Sequence, residues 1–115
     1  MKREPGALLF TTSVTQSEIL VGIEIMPPGR RKEALRVAVE TILNRLFSGR
    51  VLPFDSAAAR FYAQIVASRR RLGRPISPPD AQIAAIARVH GYALATRNTS
   101  DFRDCDVTLI NPWEA

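Results

Sequence analysis

Ile76-Ser77-Pro78-Pro79-Asp80-Ala81-Gln82-Ile83-Ala84-Ala85-Ile86-Ala87 reads as the mouth and first turns of a helix. Ser77 is an N-cap residue, and Pro78 occupies the first helical position, where its missing N–H is no loss. The helix runs on to His90, and Gly91 is its left-handed terminator. Its face is small and apolar apart from one acid, Asp80, in the first turn. A helix and a short strand later comes Ala95-Thr96-Arg97-Asn98-Thr99-Ser100-Asp101-Phe102, with an amide and an acid just past the strand end.

Outward from this core the chain alternates strands and helices. Residues 7–12 form a short apolar run ending in threonines, the pattern of a buried strand. Thr15-Gln16-Ser17-Glu18 has the T-x-x-E form of a capping box and opens a helix through Ile25. Pro27-Pro28-Gly29 stops it. Leu35, Val39, Ile42, Leu43 and Leu46 recur at helical spacing over 30–47. A short strand is expected over 51–54, then a helix capped by Asp55 or Ser56 and ended near Leu72 and Gly73. Strands over 92–96 and 107–110 flank a short turn at Asp101-Phe102. Strands joined by helices imply a mainly parallel sheet covered on both faces, with sites at the carboxyl ends of the strands. Glu18 falls just after the first strand, Asn98 and Asp101 fall just after the third, and Asp80 opens a helix that can face the same edge.

The bulk numbers bound the function. A chain of 115 residues, 46 % apolar, is one domain at most. One cysteine, Cys105, and one histidine, His90, exclude a disulfide framework and Cys/His zinc sites. No apolar run approaches the roughly 20 residues needed to span a bilayer, and the expected location is the cytoplasm. The net charge is +5, and every basic residue except Lys2 and Lys32 is arginine. That bias suits phosphate partners, although a charged run is more often a solvated face. The run Arg69-Arg70-Arg71 reads as such a helix end.

In five segments the chain resembles PIN-domain proteins, in particular the VapC and FitB-like, plasmid-stability type. They are FTTSVTQSEILVGI at 10–23, GRVLPFD at 49–55, RPISPPDAQIAAIA at 74–87, ALATRNTSDF at 93–102 and NPW at 111–113. The resemblance implies a three-layer α/β/α fold and a Mg²⁺- or Mn²⁺-dependent endoribonuclease, the toxin of a type II toxin–antitoxin pair. It implies a VapB-like antitoxin partner, an RNA substrate, a homodimer, and contact with DNA only through the antitoxin. Carried over by position, Glu18, Asp80, Asn98 and Asp101 are its catalytic and metal-binding residues, with Asp101 either in the ligand set or supporting it. Arg97 and Arg74 are candidates for flanking RNA phosphates.

The family's first strand, ending in an Asp-Thr-Asn motif, has no counterpart here. The resemblance therefore implies a single PIN domain over 1–115, shortened at its N-terminus, with weakened or absent activity. The alternative is a catalytically inactive PIN-like module that pairs with an antitoxin or an intact toxin subunit.

Each candidate also has a plainer role open to it. Glu18 can complete a capping box with Thr15. Asp80 can occupy the third position of a box opened by Ser77. Asp101 can cap its short helix, and Asn98 can be a turn residue. Hard oxygen donors in this number suit Mg²⁺ better than a softer ion.

Overall fold

A computed structural model describes residues 9–112 of the chain. They divide into two compact units that meet in sequence between Pro53 and Phe54. Ala7 and Leu8 of the expected first strand, and Trp113, lie outside the described residues.

In the first unit, β-branched Thr11–Thr12 forms β1, and Val51–Leu52 forms β2 beside it. The pair is parallel, with Thr11 opposite Val51 and Thr12 opposite Leu52. A parallel pair requires a long crossover, and two helices supply it: α1, Ser13–Glu24, and α2, Arg30–Leu46. Pro27, Pro28 and Gly29 separate them. The N-cap of α1 is Thr12, not Thr15. Thr12 Oγ1 accepts the Thr15 amide N–H at 3.0 Å, and Thr15 lies inside the first turn. The capping box expected from Thr15 and Glu18 does not form, because the strand passes straight into the helix and the threonine at the junction takes the cap.

Along α2 the helical spacing is present but its burial is shallow. Val39 and Leu43 are half-buried, while Leu35, Ile42 and Leu46 are exposed. Among the described residues the helix that packs most closely on α2 is α1, which covers less than a full apolar stripe. On its outer side Arg36 bridges Glu33 and Glu40 one turn to either side.

The second unit is built on α3, Ser56–Arg71, packed against α4, Pro78–His90. Asp55 caps α3, its carboxylate accepting the Ala58 N–H at 3.0 Å. Helix α4 begins at Ser77 and closes at Gly91, whose φ of +66° only glycine adopts readily. Tyr92 N–H then reaches back to the Ala87 carbonyl at 3.0 Å, as in a Schellman closure. Alanines at 81, 84, 85 and 87 are buried with Ile86, and Ala58 and Ile65 are buried on α3. Leu94–Ala95 (β3) and Leu109–Ile110 (β4) form a second parallel pair. Between them, Thr99–Phe102 makes a 3-10 turn that packs on α4, with Phe102 buried. The described strands are thus shorter than their sequence runs, but both pairs are parallel as expected.

Candidate active site

The acid-bearing helix mouth forms as the sequence dictates. Ser77 Oγ accepts the Asp80 amide N–H at 3.4 Å, which satisfies one of the orphan donors at the start of α4. Asp80 is half-buried in the first turn. Only the serine half of a capping box is present. The Asp80 carboxylate does not return a bond to Ser77, and it has no hydrogen-bond or ion-pair partner among the described residues.

Asn98 and Asp101 lie in the same unit, on the segment that leaves β3. Asn98 N–H donates to Thr96 Oγ1 at 3.0 Å, and Asp101 N–H donates to the Asn98 carbonyl at 3.1 Å. Both contacts use backbone. Asn98 stands at the N-cap position of the 3-10 turn without a side-chain cap bond, and the Asp101 carboxylate caps nothing. Both side chains are exposed.

Glu18 lies on α1 in the other unit and is exposed. With Thr12 as the cap, the capping role open to Glu18 in the sequence is removed.

The acids therefore sort into two groups. Glu33 and Glu40 are held by Arg36, Asp55 by the start of α3, Asp104 by Arg74 at 3.3 Å and Asp106 by Arg88 at 3.7 Å. Glu18, Glu24, Asp80 and Asp101 have no such side-chain partner among the described residues. All three acids nominated from the sequence belong to the unoccupied group.

The arginines also differ from expectation. Arg69 is not a solvated helix end: it is only 5 % exposed. Its Nε donates to the Arg74 carbonyl at 2.6 Å, and one terminal nitrogen donates to the Asp101 and Arg103 carbonyls at 2.9 and 3.0 Å. The same nitrogen lies 3.7 Å from Cys105 Sγ. The signal for this was in the register. Arg69 continues the stripe of Ala58 and Ile65, eleven and four residues before it, the buried face of α3. Arg74 is exposed and paired with Asp104, and Arg97 is exposed with its carbonyl accepting from Asn111 Nδ2 at 3.5 Å.

Asp80, Asp101 and the Asn98 amide are hard oxygen donors within one unit. Their chemistry fits a divalent cation such as Mg²⁺, which is held through one or two carboxylates and keeps several waters. No group of three or more His, Cys, Asp or Glu residues that could hold a metal ion occurs among the described residues.

The PIN-domain family model matches residues 2–107, nearly the whole chain. The chain belongs to the PIN-domain family. It is 40 % identical over 107 residues to the plasmid stability protein StbB of Pseudomonas syringae pv. tomato, covering 93 % of this chain and 77 % of that one. It is 39 % identical over 106 residues to the VapC ribonuclease Y4jK of Sinorhizobium fredii, covering 92 % and 76 %. Among solved structures, FitAB bound to an IR36 DNA fragment superposes with a TM-score of 0.86 at 36 % identity, covering 92 % of this chain and 74 % of that one. These likenesses establish the α/β PIN fold for the chain. Among its described residues, no helix of this PIN-domain protein is long and apolar enough to cross a membrane.

Proposed function

We propose that this PIN-domain protein is the toxin of a toxin–antitoxin pair and hydrolyses RNA phosphodiester bonds with Mg²⁺ or Mn²⁺, within the cytoplasm. The observation that carries the reading is that the carboxylates of Glu18, Asp80 and Asp101 have no protein partner among the described residues, where the other described acids, Glu24 aside, are hydrogen-bonded or paired. Its likeness to a VapC ribonuclease and to the FitAB complex supports the same reading.

Asp80 and Asp101 would hold the cation, with Asn98 contributing a neutral oxygen. The chemistry a divalent cation supplies at such donors is stabilisation of charge on phosphate oxygens and a lowered pKa for water. The chain's own residues bind and orient. The Asp80 N–H bond to Ser77 Oγ holds its backbone in the first turn of α4, and the Asn98 N–H bond to Thr96 Oγ1 and the Asp101 N–H bond to the Asn98 carbonyl hold the backbone of the other two donors beyond β3. Arg97 and Arg74 would bind flanking phosphates. A VapB-like antitoxin is the expected partner, with DNA reached only through it, and the working form is a homodimer of a single PIN domain.

The test is cleavage of a mixed-sequence RNA by the purified chain with Mg²⁺ or Mn²⁺, alongside Asp80→Asn. Weak cation-dependent cleavage that Asp80→Asn abolishes is expected. No cleavage with either ion, or cleavage that survives the substitution, overturns the reading.

A further inference from the structure

We infer that Arg69 is a positioning residue for the candidate metal site, holding Asp101 and Asn98 in place through their backbone; the inference rests on the function proposed above. The nitrogen that donates to the Asp101 and Arg103 carbonyls grips the chain on both sides of Phe102, which is itself buried. The Nε bond to the Arg74 carbonyl anchors the same guanidinium to the turn that ends α3. That turn is itself closed by the Arg74 N–H to the Arg69 carbonyl at 2.9 Å. One side chain thus joins the end of α3 to the segment carrying two donors.

The linkage continues through backbone N–H groups. Asp101 N–H donates to the Asn98 carbonyl, Asn98 N–H to Thr96 Oγ1, and Thr96 N–H to the Ile110 carbonyl of β4 at 2.9 Å. Arg69 holds the far end of this chain of bonds and the β3–β4 pair holds the near end. The side chains of Asn98 and Asp101 take no part, which leaves them available for a ligand.

Burying a guanidinium is costly unless its donors are satisfied. Here carbonyl oxygens, not a carboxylate, receive it. The charge is therefore kept without neutralising an acid of the site. The rigid, planar fork of arginine reaches acceptors in two directions, whereas a lysine ammonium is one compact point on a flexible stem. Removing the guanidinium would leave the Asp101 and Arg103 carbonyls without this donor and free the segment to shift. Groups that orient metal ligands from behind commonly change metal affinity about ten- to a hundredfold when lost.

The test compares the full chain with Asp80→Asn, Asp101→Asn, Arg69→Gln and Arg69→Lys. Mn²⁺ alone is the probe, with free ion followed by electron paramagnetic resonance. Thermal melts and hydrogen exchange at the Asp101 amide are measured on the same proteins. Asp80→Asn and Asp101→Asn should weaken Mn²⁺ binding. Arg69→Gln should weaken it about ten- to a hundredfold while melting cooperatively, speed exchange at Asp101, and be partly restored in Arg69→Lys.

Wild-type Mn²⁺ affinity in Arg69→Gln, when both Asn variants have lost theirs, overturns the inference even if exchange at Asp101 has quickened. Binding that neither Asn variant alters, or none in the wild type, counts against the proposed function instead. Exchange at Asp101 then decides for Arg69: faster exchange supports its hold on the segment, and unchanged exchange overturns it. Should Arg69→Gln lose its cooperative melt, the same comparisons are read from Arg69→Lys, where weakened Mn²⁺ binding supports the inference and wild-type binding overturns it.

Discussion

The Asp80 amide N–H donates to Ser77 Oγ at 3.4 Å, and the Asp80 carboxylate takes no part in that cap. Helix initiation and the proposed metal binding would then fall to different atoms of one residue. Asp80→Asn should keep the helix and change stability by no more than about 1 kcal/mol, the scale of a lost dipole interaction. Its cation-dependent cleavage should fall about a hundredfold or more. Ser77→Ala should do the reverse in stability, costing about 1 kcal/mol. Urea titrations beside cleavage assays separate the two.

Gly91 and Gly22 should respond to alanine with opposite signs. Neither site has an atom within 4 Å of an added Cβ, so sterics with neighbours do not decide. Gly91 has φ +66°, and Gly91→Ala should cost about 1–2 kcal/mol for the left-handed backbone. Gly22 lies within α1, and Gly22→Ala should stabilise by up to about 1 kcal/mol. Thermal denaturation of the two variants checks both signs.

Cys105 should be inert in the native protein. It is 1 % exposed, and burial pushes its thiol pKa up, with the hydrogen bond from Arg69 working against that shift. A disulfide reagent should label it only after denaturation. A folded pKa above the unfolded one means that the unfolded chain releases this proton first. The associated stability is complete below the unfolded thiol value, about 8.5, and is lost as pH rises towards the folded value. Cys105→Ala should flatten that alkaline decline in denaturant melts from pH 7 to 10.

Arg74 is paired with Asp104 across 3.3 Å at the surface, with both side chains nearly half exposed. An exposed pair of this kind contributes about 1 kcal/mol or less, so phosphate can compete for the arginine. Arg74→Ala should leave stability nearly unchanged and lower the salt slope of RNA binding by about 1. Fluorescence anisotropy over a salt series measures it.

Capping and punctuation were the most readable features of the sequence. Ser77, Pro78, Gly91 and Asp55 act locally, and each does what its neighbours in sequence imply. The start of α1 was misread because two threonines three residues apart compete for one cap, and the strand register favours Thr12. The shallow burial of α2 was not legible, because helical spacing specifies a face without specifying what covers it. Family likeness supplied the four candidate donors, and their local bonds were legible only in part. That Asp101 is held by an arginine 32 residues earlier follows from the packing of α3 beside the 3-10 turn segment. In the sequence, a run of arginines hides the one that points inward.

Alanine fills most of the buried face of α4 at 81, 84, 85 and 87, and Ala58 lies buried on α3, the helix it packs against. Every single-base change that alters an alanine codon yields either glycine or a bulkier residue. Glycine loosens the helix by about 1 kcal/mol, and added bulk in a filled core typically costs about 1–3 kcal/mol. Random drift at these codons therefore has no neutral direction.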